Sequence, residues 1–302
     1  MACATCSTLA ANEDLRHALS RFRATPAREV AGRRPARPLR NARRTDACRP
    51  RRVVQLSREK LAIVGESGSG KSTVGRALLR LHPRSARIEA RTLAFDDIDL
   101  LSADPKTMQT LRGRRMSMIM QDPKYSLNPV VRVGRQIAEA YLAHNDVPRA
   151  EARERALAML AAVRIRDPQR VFDLYPHEVS GGMGQRIMIA MMLITEPEVL
   201  IADEPTSALD VSVRLQVLDV LDELVRERGL GLIFISHDLN LVRRFCDRVL
   251  VMYAGRVVES IAASDLDHAG HPYTRGLLGA LPSLEQRRAR LPVLQRDPAW
   301  LG

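Results

Sequence analysis

Short, mostly apolar runs alternate along the chain with longer stretches in which apolar positions recur at helical spacing. Each run is four to six residues long and rich in Val, Ile, Leu and Met. Runs of this kind are typical of strands that are buried on both faces of a parallel sheet. The alternation of strands and helices predicts an α/β fold with a mainly parallel sheet. The predicted strands are residues 61–64, 115–120, 199–202, 232–236 and 249–252.

Helical spacing predicts helices over residues 150–163, 187–194, 211–228 and 239–246. The chain from residue 130 to 179 has a helical pattern and no convincing strand, so we expect an inserted α-helical subdomain at about residues 125–195. Residues 88–100 have the pattern of a hairpin. The expected organisation is therefore a sheet-based domain over residues 53–281, with a short C-terminal extension at 282–302.

Residues 1–52 differ from the rest of the chain. They are rich in Arg, Ala and Pro, and after about residue 24 they show no sustained period of 2 or 3.6. A segment of this composition buries too little apolar surface to offset the entropy of ordering it. We predict that residues 1–52 are disordered, with at most a short helix at 13–22.

Composition and charge narrow the class of protein. The net charge is +12, but residues 1–60 contain 15 Lys and Arg against 5 Asp and Glu, so the basic excess belongs to the N-terminal segment. Aromatic residues make up only 4% of the chain, which disfavours nucleic acid as a partner. The four cysteines have no second ligand pair at zinc spacing, and reduced thiols are expected. No apolar run reaches the roughly 18 residues of a membrane span.

A glycine-rich segment follows the first predicted strand and precedes a helical pattern. Residues 65–72 read Gly-Glu-Ser-Gly-Ser-Gly-Lys-Ser and fit G-x-x-x-x-G-K-[ST] without a mismatch. In such a loop backbone N–H groups point at phosphate oxygens, the lysine reaches the β- and γ-phosphates, and the serine hydroxyl ligates Mg²⁺. An ordinary turn before a helix is the alternative, but the flanking strand and helix favour a nucleoside triphosphate site. Its expected residues are Gly65, Glu66, Ser67, Gly68, Ser69, Gly70, Lys71, Ser72 and Thr73.

Two acids end the strand predicted at 199–202. Asp203 would lie beside the phosphate loop and hold Mg²⁺, and Glu204 would activate a water for attack on the γ-phosphate. Strands that end in two acidic residues are common, so this pair by itself is weak evidence for a catalytic site. The order of Lys71 and Asp203, each in its expected context, favours the catalytic interpretation.

A third segment, Ser180-Gly181-Gly182-Met183-Gly184-Gln185-Arg186, opens the helical run at 187–194. A Ser-Gly-Gly helix entry exposes N–H groups for another anion. This segment is similar to the signature sequence of the ATP-binding subunits of ABC transporters. Other motifs of that family follow in order, because Gln121 resembles the Q-loop glutamine, residues 207–210 the D-loop and His237 the switch histidine. The resemblance covers about residues 59–281. Gly184 departs from it, since Arg or Lys is commoner there.

The resemblance implies an ATPase whose active sites are completed by a second ATPase subunit, identical or paralogous, paired head to tail. Ser180, Gly181, Gly182 and Gln185 of one subunit would act on the ATP held by Lys71 of the other. The catalytic residues would be Glu204, His237 and Gln121, the Mg²⁺ site would comprise Ser72, Gln121 and Asp203, and Ser207 and Asp210 would belong to the D-loop. The implied cofactors are ATP and Mg²⁺. The implied partners are permease subunits and a periplasmic or extracellular solute-binding protein, with the ATPase at the cytoplasmic face of the plasma membrane.

Two segments refine the resemblance. Residues 121–129 and 271–278 look like those of the dipeptide, oligopeptide and nickel importers, although on their own they suggest only a turn-rich loop and a helix start. Some members of that branch end in a cysteine cluster that holds an iron–sulfur centre. No cysteine follows Cys246 here, so we expect no such cluster. A soluble ABC-type ATPase in translation or DNA repair is the alternative function.

The N-terminal part departs from the family pattern. The family has an antiparallel β-region there, with an aromatic residue that stacks on adenine about two dozen residues before the phosphate loop. Residues 40–50 contain no Phe, Tyr or Trp, and only a strand fragment at 52–56 is expected. An out-of-frame translation of residues 1–57, which would leave a truncated subunit with impaired activity, and a genuine basic tail both remain open. A transit peptide fits less well because of Glu13 and Asp14.

Overall fold

The structure is a computed structural model that describes residues 8–11, 54–57, 59–83, 85–90, 92–122, 126–207, 209–281 and 300. The expected helix at 13–22, the loop residues 123–125 and nearly all of the C-terminal extension lie outside the described residues. The strands are β1 (Thr8–Ala11), β2 (Val54–Ser57), β3 (Lys60–Val64), β4 (Leu93–Phe95), β5 (Ile98–Asp99), β6 (Met116–Ile119), β7 (Val199–Asp203), β8 (Gly231–Ile235), β9 (Arg248–Tyr253) and β10 (Arg256–Ala262).

Nine α-helices are placed within the described residues. They are α1 (Lys71–Leu78), α2 (Pro105–Leu111), α3 (Val133–Leu142), α4 (Arg149–Ala162), α5 (Pro168–Phe172), α6 (Gly181–Leu193), α7 (Val211–Arg228), α8 (Leu239–Phe245) and α9 (Pro272–Gly279). Short 3-10 helices cover Pro176–Glu178 and Ala263–His268. None of the helices in this part of the chain is long and apolar enough to cross a lipid bilayer.

The central sheet has six strands in the order β10-β9-β3-β8-β7-β6. Strands β9, β3, β8, β7 and β6 run parallel to one another, and β10 pairs antiparallel with β9. The predicted α/β class and mainly parallel sheet are confirmed. Strand β10 was not anticipated from the sequence. The tight turn that joins β9 to β10 contains Ala254 and Gly255, both at positive φ, which is the geometry that a two-residue hairpin requires.

Strand β3 is buried on both faces, as its apolar run predicts. Leu61 and Ile63 pack with one face of the core, which includes α1 and β4, whereas Ala62 and Val64 pack with the other, which includes helices α3 to α7. Side chains alternate between the two faces of a strand, so one four-residue run contributes to both core layers. Packing on both faces fixes the position of the end of β3, and with it the start of the phosphate loop.

A second sheet of four strands has the order β2-β1-β4-β5, and each pairing in it is antiparallel. The hairpin expected at 88–100 is present as β4 and β5. Strand β1 lies within the segment that the sequence predicts to be disordered, so that expectation does not hold for residues 8–11. Thr8–Ala11 pairs through its backbone with a strand on each side, and backbone pairing needs no periodic apolar pattern. The question of reading frame concerns residues that mostly lie outside the described part.

Helices α3 to α6 occupy the chain between β6 and β7, in the range where an inserted helical subdomain is expected. Helix α3 packs against α4 and α6, and Ile137, Leu160 and Ile187 are fully buried in the shared core. Helix α6 also contacts β6 and α7. The helix that begins with the signature segment is therefore held by both the helical region and the central sheet.

Candidate nucleotide-binding and hydrolysis site

The predicted catalytic side chains gather at the carboxyl edge of the parallel sheet. The phosphate loop follows β3, Gln121 follows β6, Asp203 and Glu204 lie at the end of β7, and His237 follows β8. The carboxyl ends of parallel strands meet at one edge, where ligands bind in open α/β sheets. Residues that are up to 172 positions apart in sequence (Gly65 to His237) are brought together in this way.

The phosphate loop has the backbone that its glycines predict. Gly65, Gly68 and Gly70 all have positive φ, and a Cβ on Gly65 would overlap the carbonyl oxygen of Met252 in β9. Gly70 is the N-cap of α1, with a φ of 98°. Only glycine adopts this conformation without strain, and it leaves the first N–H groups of α1 directed into the loop.

Lys71 lies at the mouth of the loop and is largely buried. Its Nζ donates to the carbonyl oxygens of Gly65 and Glu66, each at 2.9 Å. Burial lowers the pKa of this ammonium group, and the nearby carboxylates of Glu204 and Asp203 oppose the shift. A buried cation with only two of its three N–H donors on these carbonyls is suited to receive a phosphate oxygen.

Ser72 and Asp203 meet directly. The Ser72 hydroxyl donates to Oδ1 of Asp203 at 2.8 Å. Asp203 is 2% exposed, and burial raises the pKa of its carboxyl group, while the hydrogen bond from Ser72 and the charge of Arg76 oppose that rise. Hydroxyl and carboxylate oxygens at one point are the ligand types that Mg²⁺ prefers, so these residues fit the predicted metal site.

Glu204 is the centre of a second group. Its Oε2 accepts from Nε2 of Gln121 at 3.0 Å, and its Oε1 lies 3.1 Å from Nδ1 of His237. Its backbone is in the left-handed region, with a φ of 46°, and its N–H donates to the carbonyl of Ile235 in β8. A non-glycine residue in that region costs about 1–3 kcal/mol and is common at functional sites. Glu204 thus contacts both of the other predicted catalytic residues.

The signature segment forms the N-terminus of α6. The Ser180 hydroxyl caps the helix by accepting from the N–H of Met183 at 3.3 Å. Gly182 faces α7, where a Cβ would stand 2.5 Å from Cγ1 of Val213. Gln185 lies elsewhere on the helix. It is 1% exposed, and within the described residues its Nε2 has no hydrogen-bond partner. In this conformation the Gln185 side chain does not reach the surface, contrary to the expectation that it acts on a second subunit.

The predicted D-loop connects β7 to α7. The N–H of Ser207 donates to the carbonyl of Glu204 at 3.2 Å. Asp210 is the N-cap of α7, where its Oδ1 accepts from the N–H of Val213 at 3.0 Å. Ala208 lies outside the described residues. Within one subunit Asp210 therefore caps helix α7. Val213, whose N–H it binds, also lies against Gly182 of the signature helix.

The family model described as "ABC transporter" matches residues 55–207, about half of the chain. A probable peptide ABC transporter ATP-binding protein of Sinorhizobium fredii is 50% identical over 241 residues, which are 79% of this chain and 72% of that protein. This chain belongs to the ABC transporter family. The ATP-binding proteins of this family bind nucleotide and are ATPases coupled to transport, and the chain is one of them.

Further ABC relatives carry similar names. The oligopeptide transport ATP-binding protein of Salmonella typhimurium is 46% identical over 80% of this chain and 72% of its own length. A dipeptide transport ATP-binding protein of Haemophilus influenzae is 45% identical over 78% of this chain and 72% of its own length. These names support a transport ATPase and give no support to the alternative in translation or DNA repair.

Solved ABC structures share the fold. A protein of Clostridium perfringens that is part of an ABC transporter complex has a TM-score of 0.61 and 29% identity, and covers 72% of this chain and 82% of its own. A dimeric ATP-binding cassette bound to ADP and Pi has a TM-score of 0.59 over 70% of this chain and 92% of its own. At 24% identity the second likeness shows the fold alone.

One residue that contacts the ABC phosphate loop was not predicted from the sequence. Tyr273, at the start of α9, accepts a hydrogen bond from the N–H of Glu66 through its hydroxyl, at 3.0 Å. It lies in the 271–278 segment, which on its own suggests only a helix start. The chain is more than 200 residues long between the two partners, so no local pattern could reveal the contact.

Proposed function

We propose that this chain is the ATP-hydrolysing subunit of a peptide importer. The observation that carries the proposal is the set of three contacts beside the phosphate loop, Ser72 to Asp203 and Glu204 to both Gln121 and His237. The names of the relatives, which are peptide, oligopeptide and dipeptide transport proteins, support the substrate class. A related small solute, including nickel, is the other substrate open to this branch.

In this proposal the loop and Lys71 bind the phosphates of ATP. The N–H groups at the start of α1 would donate hydrogen bonds to phosphate oxygens, and Lys71 would add its positive charge while it stays bound to the loop carbonyls. Ser72, Asp203 and Gln121 would supply the oxygen ligands for Mg²⁺. When bound, the metal neutralises charge that develops on the phosphate oxygens.

Glu204 would act as the general base. It lies directly after Asp203, and its carboxylate is oriented by Gln121 and His237. A water between this carboxylate and the γ-phosphate would lose its proton to Glu204 as it attacks. His237, whose side chain is mostly exposed, contacts Oε1 of Glu204 and would support the same phosphate.

A second ATPase subunit would complete the site. Ser180, Gly181 and Gly182 begin α6, and the free N–H groups of a helix start bind an anion such as the γ-phosphate of a partner-bound ATP. The D-loop, with Ser207 and Asp210, would lie at the same interface. Gln185 is left out of this set because its side chain is buried. Closure of two subunits around ATP, and their release after hydrolysis, would drive the transporter.

The remaining partners would be the permease subunits and an external solute-binding protein. The ATPase would associate with the membrane through the permease, on the cytoplasmic side where ATP is available. Coupling would pass from Gln121 to helices α3 to α6, because Gln121 precedes that helical region and contacts Glu204. The helical region would thus form a subdomain that moves with the nucleotide.

Glu204→Gln tests the proposed chemistry. The amide keeps the size of the side chain and the hydrogen bond to His237 but cannot accept a proton. We expect ATP turnover to fall at least 100-fold, since a general base contributes about 10²–10⁴ in rate. Affinity for ATP should stay within about threefold of the wild type. Release of phosphate and binding of a fluorescent ATP analogue measure the two quantities.

Lys71→Ala is the comparison for binding. This variant should lose affinity for ATP, whereas Glu204→Gln should retain it. Normal hydrolysis by Glu204→Gln would contradict the assignment of the base. Failure of the wild-type chain to bind ATP would contradict the proposed function itself.

A further inference from the structure

The peptide bond between Gly65 and Glu66 carries two contacts at once. Its carbonyl oxygen accepts from Nζ of Lys71 at 2.9 Å, and its N–H donates to the hydroxyl of Tyr273 at 3.0 Å. Both groups belong to one planar unit, so its rotation moves them together. We propose that Tyr273 is a positioning residue for Lys71, acting through this peptide.

This peptide needs an external support. Gly65 precedes it with a φ of 148°, in a region that glycine enters readily and leaves readily. The carbonyls of Gly65 and Glu66 hold two of the three N–H groups of the Lys71 ammonium. Rotation of the peptide would turn the Gly65 carbonyl away and release a flexible four-carbon side chain, whose ordering would then oppose phosphate binding.

Tyr273 is a rigid support. It is fully buried, and its ring lies 4.6 Å from that of Tyr253 and 5.8 Å from that of Trp300, between centroids. Helix α9 is held at its start, because Oε1 of Glu259 in β10 accepts from the N–H groups of Gly270 and His271. The Tyr273 hydroxyl that binds the phosphate loop thus belongs to helix α9, whose start is fixed to the central sheet through Glu259.

The two contacts also strengthen each other. A hydrogen bond to the N–H of an amide polarises its carbonyl, which then accepts more strongly from a cation. Tyr273 therefore favours the Lys71 contact both by orientation and by polarisation. We therefore expect the Lys71 ammonium to be in position before ATP binds. Tyr273 would produce this effect without touching the nucleotide.

Tyr273→Phe removes only the hydroxyl and keeps the ring. Loss of one hydrogen bond of this kind should lower affinity for a non-hydrolysable ATP analogue about fivefold. The KM for ATP should rise by the same factor, while kcat at saturating ATP stays within about twofold, because Glu204 and its partners are untouched. Tyr253→Phe is the matched control, since it removes a hydroxyl from the same aromatic cluster, and its affinity should stay within about twofold of the wild type.

A double-mutant cycle tests the route through Lys71. In a Lys71→Ala background, measured at high analogue concentration, Tyr273→Phe should cause no further loss of affinity. An additive loss there would contradict the route, as would equal losses from Tyr273→Phe and Tyr253→Phe. The inference rests on the proposed nucleotide site. If the wild type binds the analogue and Tyr273→Phe binds it equally well, the inference alone is overturned. If the wild type does not bind it, the proposed function is overturned.

Discussion

At the scale of the residue, the site combines groups that are costly in the folded chain without ligand. Lys71 and Asp203 are charged side chains with little exposure, and Glu204 has a strained backbone. Burial disfavours the charged form of each of the first two residues. A group that is unfavourable without ligand and useful with it is typical of a binding site rather than of a structural core.

Asp203→Asn should stabilise the chain in the absence of metal and nucleotide. The asparagine retains an oxygen that can accept from Ser72 and removes a buried charge. We expect an increase of about 1 kcal/mol in the free energy of unfolding at pH 7, together with loss of ATP hydrolysis. Thermal denaturation in EDTA measures the first effect.

The effect of Asp203→Asn should depend on pH. The pKa of Asp203 is raised by folding, so its protonated form is favoured in the folded chain. Its contribution to stability is complete below the ordinary carboxyl pKa, about 3.8, and is lost as the pH rises through the raised value. The advantage of the variant should therefore shrink on acidification. A pH-independent difference in melting temperature would contradict this explanation.

At the scale of the element, the position of the signature helix depends on a close approach to another helix. Helix α6 begins against the first turn of α7, and only the absence of a side chain at Gly182 leaves room for Val213. Val213 is β-branched and short, so it has little freedom to move aside. The geometry of the signature and that of the D-loop are therefore linked through one contact.

Gly182→Ala should lower the free energy of unfolding by about 1–3 kcal/mol, because the new methyl group overlaps Val213. Alanine is the better helix former, so helix propensity alone predicts the opposite sign. Gly181→Ala is the matched control. Its methyl group would stand 3.8 Å from Leu209, an ordinary contact, and stability should change by less than about 0.5 kcal/mol.

A second substitution tests the cause of that loss. Val213→Ala should recover most of the stability that Gly182→Ala removes, and the two effects should not add. Chemical denaturation of the four variants gives the required free energies. Additive losses would show that the contact between α6 and α7 is not the cause.

At the scale of the whole molecule, the phosphate loop and the signature belong to different parts of the chain. The loop is surrounded by β3, β9 and α9, and the signature is held by α6 and α7. Two half-sites on one subunit are expected if each is completed by another copy. A subunit that binds ATP but cannot hydrolyse it should then stay in the closed pair.

Glu204→Gln with ATP and Mg²⁺ should form a dimer of twice the 33.7 kDa chain mass. Light scattering after size-exclusion chromatography measures the mass, with ADP as the ligand control. The double variant Lys71→Ala with Glu204→Gln should remain a monomer under the same conditions. A monomeric Glu204→Gln chain with ATP bound would indicate that the natural partner is a paralogue.

Much of the fold and site could be predicted from the sequence because local constraints suffice for it. The apolar runs marked five of the six strands of the central sheet, and the glycines and Lys71 of the phosphate loop, with Asp203 and Glu204, lie within short segments whose chemistry is legible. Strand β10 escaped prediction, because its burial is mixed and its register depends on pairing with β9. Strand β1 was not predicted because it pairs with strands that lie far along the chain.

The order of residues along the chain sets which chemical groups are present and which strand ends carry them, since a phosphate loop needs only consecutive residues of the right type. Which of these groups touch depends on the folded arrangement. The bond from Tyr273 to Glu66, the burial of Gln185 and the approach of Gly182 to Val213 all join or enclose residues that depend on packing between distant elements. Contacts of that kind are set by how helices and sheet fit together, and no periodicity along the chain encodes them.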